Sequence, residues 1–455
     1  CAVMTFALFI LYLALSYIHP GEIMPALAPY RVAYWIGMAG LTVAIASLLA
    51  RRDGVRTNLQ LLVLVVFAVV TALSLAIADR WPGAPLLAMQ RFGPSVAMFV
   101  LAIAGVTTLT RLRIAAVCII VLTMVLAIQG AAAYHLGYNA GMFLLDPAAR
   151  GDVPSEPEPD RLDLVPRDHA ADAPDAEEGF EEERIRGLGM MHDPNDLAMG
   201  MIVAFGLIAG AWRARPLYRN GLFAAAAAAL VYGIYLTRSR GGAVALVIVL
   251  WRLAASRIGR VPALVLLVAL SAGLVALDYG GRQFSIEPDE SASGRLIAWS
   301  EGLEMLKEKP ILGVGYGQFQ DYHTLTAHNS LVLCFAETGL VGCFFWVGLI
   351  VVTVLELHGL ERLAGTEPFD VMARQWAAGL QLSLIGFLSA AFFLSRTFVP
   401  TLYLIIGLSA ALAAVARKNG RTIPLPALPV LATLVSGCEL AGIGLVYAIV
   451  KLRVV

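Results

Sequence analysis

The sequence predicts an all-α polytopic membrane protein, a bundle of about 12 transmembrane helices with two large loops on one side. Hydrophobic residues make up 59% of the 455 residues, charged residues only 15%, and the mean hydropathy is +0.76. The apolar residues form continuous runs of about 20 residues, the length that an α-helix needs to cross a bilayer. Lipid tolerates only helices or closed barrels, and the runs lack the alternation of barrel strands. We therefore expect one integral membrane domain over residues 1–455.

The apolar runs predict twelve or thirteen spans. They lie near residues 2–18, 31–50, 59–78, 93–110, 114–136, 197–212, 221–237, 240–251, 261–277, 329–355, 376–394, 399–416 and 427–450. Span 240–251 is short, and Glu439 lies in the middle of the last span, so the sequence leaves the helix count open.

Basic residues predict the orientation of the bundle. They cluster on alternate connections, at 51–56, 111–113, 213–219, 252–260 and 417–421. Positive charge favours the cytoplasmic side of short loops, which leaves loops 138–196 and 278–328 outside. A thirteenth span would place the C-terminus outside as well, whereas the basic residues near that end favour the inside.

The first outer loop, 138–196, is strongly acidic. Residues 146–196 carry nearly half of the 33 carboxylates and are rich in proline but poor in aromatic residues. A segment of this composition cannot bury a core. We predict a flexible acidic linker at about 150–180.

The polar residues that the bundle holds near its outer surface lie in four stretches. They are "RIRGLGMMHDPNDLA" (184–198), "TRSRGG" (237–242), "GRLIAWSEGLEMLKEKPILGVGYGQF" (294–319) and "TAHNSL" (326–331). Polar groups at such costly depths are where the function of a membrane protein is expected.

In the first stretch, the "HDPND" segment is best explained as a helix start. Asp193, Asn195 and Asp196 surround Pro194, which is typical of a cap. Metal binding through His192, Asp193 and Asp196 is the alternative, but hard cations usually need more oxygen ligands. We predict no metal site.

Four arginines of the first two stretches are candidate phosphate ligands. Arg184 and Arg186 could pair with the preceding glutamates, or they could form a fork for phosphate, a role that suits the planar guanidinium. Arg186 is closer to the predicted span and is preferred. Arg238 and Arg240 lie at a predicted hairpin apex, where they could equally extend their charges to the membrane surface.

The third stretch predicts an amphipathic surface helix that ends before Pro310, because Leu296, Trp299, Leu303 and Leu306 recur at helical spacing. Arg295 is expected in its first turn, where a positive charge opposes the helix dipole. An anion shared between Arg295 and the free N–H groups of that turn would remove the conflict.

In the fourth stretch, His328 and Asn329 stand where a long apolar run begins. Nearby arginines would lower the pKa of His328 and keep its imidazole neutral, able to accept a proton. We therefore predict that His328 is the proton acceptor. Glu337 and Gly339, deeper in the span, are predicted to be structural.

Together, "SRGG" (239–242), the segment from Arg295 through "GVGYGQF", and "HNSLVLCFAETGLVG" (328–342) resemble the O-antigen ligase and O-antigen polymerase superfamily, most closely the ligases. The resemblance implies a GT-C-like bundle in a bacterial inner membrane with a periplasmic active site. It implies a glycosyltransferase that transfers O-antigen from undecaprenyl diphosphate to the lipid A core, inverting the anomeric centre without a metal or cofactor.

By position, the resemblance assigns catalytic roles to His328, Arg295 and Arg186, and substrate contacts to Arg240. We group Arg184, Arg238 and Asn329 with Arg240 as substrate contacts. The expected partners are the lipid-linked glycan, the lipid A core and membrane lipids, and no nucleic acid.

Two alternatives remain at this point. A polymerase or an O-linked protein glycosyltransferase would share these motifs and use another acceptor. A transporter would need ionisable groups in mid-membrane and internal repeats. The helix interiors carry only Glu337 and Glu439, which favours an enzyme.

Overall fold

The computed structural model describes residues 2–50, 58–145, 183–212, 217–276 and 290–454, and these residues confirm the all-α polytopic class. The long helices of this part of the chain are α1 (Ala2–Ile18), α2 (Val32–Ala50), α3 (Leu59–Asp79), α4 (Ala84–Gly105), α5 (Leu109–Leu136), α6 (Pro194–Ala211), α7 (Leu217–Leu236), α8 (Arg240–Ile258), α9 (Arg260–Ala276), α10 (Glu290–Glu308), α11 (Ser330–Glu361), α12 (Pro368–Ala391), α13 (Pro400–Lys418) and α14 (Leu428–Val454). Short helices lie at Pro20–Ile23, Pro25–Tyr30, Ala140–Phe143, Gly189–Met191 and Phe319–Tyr322.

Every predicted span corresponds to one of these helices, and α10 corresponds to the predicted amphipathic helix. Within the described ranges, ten helices are long and apolar enough to cross a membrane, and two further apolar helices, Asn220–Leu236 and Arg260–Leu274, are shorter. The predicted 150–180 linker lies outside the described residues.

The three largest differences from the predicted boundaries are at the start of α4, the end of α8 and the start of α12, which begins at Pro368 instead of residue 376. In each case polar residues interrupt the apolar run. Helix α4 begins at Ala84 instead of residue 93, with a proline in its first turn, although Arg91 and Pro94 break its apolar pattern. Helix α8 runs seven residues past its predicted end at 251, through the basic segment before Ile258.

One pair of short strands, Leu144–Leu145 and Arg184–Ile185, was not predicted. The strands are antiparallel, with Leu144 opposite Ile185. They join the two ends of the acidic segment, so its base is fixed to the bundle beside α5.

Connections between helices contact one another at one end of the bundle. The contacts join Gly189 to Glu22, Gln318 to Asp79, Arg184 to Thr237, and Thr326 to Ser395. We call this the site end. Both predicted outer loops have described residues there, as expected for loops on one side of the membrane.

Helix α11 is broken at Gly339, nine residues after its start. Gly339 has φ 64° and ψ −170°, a conformation that side chains disfavour. An added Cβ would overlap the carbonyl group of Ile311, so both the backbone angle and the close packing require glycine.

The loop after α10 satisfies the backbone groups that this break frees. The N–H of Val314 donates to the Ala336 carbonyl (2.9 Å), and the N–H of Leu340 donates to the Pro310 carbonyl (2.9 Å). Unpaired backbone groups within a membrane are costly, so the loop and the break stabilise each other.

The buried Glu337 side chain completes this joint. Its Oε1 accepts the N–H of Phe319 (3.3 Å), and its backbone carbonyl accepts from Ser74 (2.5 Å) and Gly315 (3.2 Å). These contacts agree with the predicted structural role of Glu337 and Gly339, and they hold the loop that leads to His328.

Candidate active site

The start of α6, residues 193–196, is the centre of the site. Asp193 caps the helix, because its Oδ1 accepts the N–H of Asn195 (2.7 Å), and Pro194 occupies the first turn. The predicted cap is therefore present. The two polar residues that follow Pro194, Asn195 and Asp196, point to two different segments.

Asn195 connects α6 with the hairpin between α7 and α8. Its Oδ1 accepts from Ser239 Oγ (2.7 Å) and from Arg184 Nη2 (3.4 Å). Arg184 Nε also donates to the Thr237 carbonyl (2.9 Å), and the arginine is buried. The strand residue Arg184 and the "TRSR" apex thus meet at one amide.

Asp196 forms a buried ion pair with Arg396. The Arg396 Nε donates to Asp196 Oδ1 at 2.5 Å, and the two residues are 1% and 2% exposed. Nη2 of the same guanidinium is 4.0 Å from Asp193 Oδ1. Paired burial of this kind is the usual condition under which an arginine is found in a membrane protein interior.

Sequence reasoning missed Arg396. It lies in the connection between α12 and α13, within "FFLSRTFVP", where a single charge between two apolar runs resembles an ordinary helix end. Its complete burial was visible only once Asp196, 200 residues earlier, was placed beside it.

The connection that holds Arg396 is hydrogen-bonded along its length to residues 326–330. Thr326 donates to Ser395 Oγ (2.6 Å) and Ser330 to the Leu394 carbonyl (2.6 Å). In return, the Arg396 N–H donates to Ser330 Oγ (2.7 Å). His328 lies in the middle of this paired segment, so its position is fixed from both sides.

His328 is buried and has a left-handed backbone with φ 46°. Burial makes the largest contribution and, together with the neighbouring Arg295, Arg396 and His323, lowers its pKa to about 3. At neutral pH the imidazole is therefore uncharged, which is the form that the predicted proton acceptor requires.

Helix α10 brings Arg295 to His328. Trp299 packs edge-on against Phe392 (5.5 Å between ring centroids), and Gly302 leaves no room for a side chain beside Val332. The helix begins at Glu290, so Arg295 lies in its second turn. The predicted placement of Arg295 in the first turn is therefore wrong.

The side chains of Arg184 and Arg186 bind different segments of the protein. Arg186 donates from Nε to the Met142 carbonyl (3.1 Å) and from Nη2 to the Gly141 carbonyl (3.0 Å), which stabilises the turn before the first strand. Arg184, by contrast, joins the hairpin apex at Asn195. The geometry thus favours Arg184 over the preferred Arg186 as the arginine of this loop at the site.

The remaining candidates are Arg238 and Arg240, at the start of α8, and Asn329, at the start of α11. Arg238 lies over the ring of Tyr235 (4.6 Å), and Arg240 is the first residue of α8. Asn329 caps α11, accepting from the N–H groups of Leu331 (2.9 Å) and Val332 (3.1 Å). Its Nδ2 donates to the Phe392 carbonyl (3.0 Å), so the buried Asn329 has a structural role.

Comparison with known proteins supports the resemblance. Residues 223–347 match the family model Wzy_C, described as O-antigen ligase. The matched region contains the hairpin apex, α10, Arg295, His328 and the break at Gly339, which confirms the predicted superfamily for this region. No curated protein sequence matches the chain.

Proposed function

We propose that the protein is an O-antigen ligase, transferring a glycan from undecaprenyl diphosphate to the lipid A core. The observation that carries the proposal is the neutral His328 beside the guanidinium of Arg295, within a region that matches the O-antigen ligase family. A proton acceptor next to a group that binds phosphate is what this transfer requires.

In the proposed reaction, a hydroxyl oxygen of the acceptor sugar attacks the anomeric carbon of the donor. The bond from that carbon to the diphosphate oxygen breaks, and the anomeric centre inverts. His328 takes the hydroxyl proton, and the diphosphate leaves with the electron pair of the broken bond. Arg295, with Arg240 as a further contact, stabilises the growing negative charge, the role that Mg²⁺ has in many phosphate sites. Arg184 holds the hairpin apex in place through Thr237 and Asn195.

The proposal is tested by transfer in vitro with purified full-length protein in lipid nanodiscs. The donor is an undecaprenyl diphosphate glycan, the acceptor is purified lipid A core, and each reaction is run with and without a chelator. We expect glycan-bearing lipid A as the product. If the donor glycan lengthens while the core receives no glycan, the protein is a polymerase and not a ligase. Loss of transfer with the chelator would overturn metal independence.

A further inference from the structure

We infer that Arg396 is a positioning residue for the transfer reaction, which holds the His328 turn in place and keeps a positive charge beside the imidazole. This inference rests on the proposed function for its catalytic meaning. It adds a residue outside the 223–347 family region and outside the four polar stretches of the sequence.

The first support is that Arg396 joins three segments far apart in sequence. Its side chain binds Asp196 on α6, its own N–H donates to Ser330 Oγ on α11, and Thr397 donates to the Ser330 carbonyl (2.5 Å). The turn that carries His328 precedes Ser330 directly. Movement of the arginine would therefore move the imidazole.

The second support is that the guanidinium is buried and bound to protein groups, so it is not a direct ligand of the substrate. It is 1% exposed, Nε is used by Asp196, and Nη1 donates to the Ser395 carbonyl (3.3 Å). A diphosphate could not displace these partners without opening the site. Arg396 thus acts through His328, and Arg295 remains the candidate for contact with the substrate.

The third support is electrostatic. The charged and titratable groups that act on His328 are Arg295 from α10, His323 from the preceding loop and Arg396 from the connection after α12. Asp196 and Asp193 face the guanidinium from α6. A positive charge fixed beside the imidazole favours its neutral form, which is the form that accepts a proton.

The test compares Arg396→Met with Arg396→Lys, which keeps the charge but not the fork. A matched control is Arg421→Met, because Arg421 Nε is also bonded to a buried carboxylate, Asp370 Oδ1 (2.7 Å), at the opposite end of the bundle. The pKa of His328 is read from exchange of its Cε1 proton by mass spectrometry between about pH 2 and 9, and transfer is measured over the part of this range in which the protein stays folded.

In wild type and Arg421→Met we expect no inflection for His328 above about pH 4. In Arg396→Met the pKa of His328 rises by about one unit or more, and the acid limb of transfer rises with it. Arg396→Lys keeps the low pKa and loses at least about tenfold in transfer, since a point charge does not hold the turn.

A fall in transfer that is equal at every pH, with the pKa of His328 unchanged in Arg396→Met, would reduce Arg396 to a fold residue and overturn the inference. Normal transfer in that variant would also overturn it. If Arg396→Met does not fold, the double variant Arg396→Met with Asp196→Asn, which lacks the unpaired carboxylate, gives the same readouts. If wild type transfers no glycan, the proposed function fails, whereas the exchange measurement still tests the effect of Arg396 on His328.

Discussion

His328 combines a backbone that few residues adopt with a side chain held in its neutral form. The left-handed conformation, with φ 46°, is tolerated best by glycine, asparagine, aspartate and histidine. His328→Asn should therefore keep the turn while removing the base. We expect transfer to fall at least about 100-fold with unchanged elution on size exclusion. The control is His358→Asn, an exposed histidine in the last turn of α11, and equal loss in both variants would contradict the assignment.

Arg295 differs from Arg396 in that it is expected to touch the substrate. Arg295→Lys keeps the charge but cannot form two parallel hydrogen bonds to a diphosphate, so we expect transfer to fall at least about tenfold. Inhibition by inorganic diphosphate is the more direct measurement. Its inhibition constant should rise in Arg295→Lys and stay unchanged in Lys309→Arg, an exposed position after the same helix. Equal inhibition of all three proteins would argue against contact with the leaving group.

The low pKa of His328 also makes stability depend on pH. The unfolded imidazole has a pKa near 6.5 and the folded one about 3, so below pH 6.5 the unfolded state binds a proton that the folded state does not. The contribution is fully present above pH 6.5. Stability should fall towards pH 4 by about 1.4 kcal/mol per pH unit from this group. Thermal unfolding in detergent should show this slope in wild type and a shallower one in His328→Asn, and identical slopes would contradict it.

The residues that the sequence identified are those whose role follows from local position. His328 and Arg295 stand out because one begins a span and the other lies on an amphipathic helix. Arg396 does not stand out, since its meaning depends on Asp196 in another helix. The choice between Arg184 and Arg186 also depends on tertiary contacts that a separation of two residues cannot reveal.

The break in α11 and the loop after α10 form one unit. Gly339→Ala would place a Cβ against the Ile311 carbonyl and force a disfavoured φ, so we expect at least about 3 kcal/mol of destabilisation. Gly437→Ala is the control, because a Cβ there meets no atom within 4 Å and alanine favours a helix. The fraction of protein that elutes as a single species after heating measures both, and equal tolerance would contradict the packing.

Most helices were predictable because about 20 apolar residues in a row have few other solutions in a membrane. The errors fall where polar residues belong to helices. Arg91 and Pro94 hid the first part of α4, and the basic end of α8 was assigned to a loop. The strand pair that flanks the acidic segment in the sequence could not be predicted, since two residues per strand show no alternation.

The number of helices that cross the membrane predicts the side on which each connection of the bundle lies. If α10 lies on the surface and the other long helices cross the membrane, successive connections alternate, and α14 ends on the side of the site. Basic residues at the opposite end, including Arg252, Arg417 and Lys418, predict that end to be cytoplasmic. The site would then face the periplasm. The basic residues Lys451 and Arg453, near the end of α14, would lie on the same side.

Single cysteines test this orientation in a background with the native cysteines replaced by serine. A membrane-impermeant maleimide applied to spheroplasts should label Lys309→Cys at the site end and Leu452→Cys near the end of α14. It should label Lys418→Cys, at the end of α13, only after detergent is added, because that position faces the cytoplasm. All three native side chains are exposed, so packing within the protein does not shield them from the reagent. Labelling of Lys418→Cys in intact spheroplasts would reverse the bundle, and protection of Leu452→Cys alone would remove one span from the count.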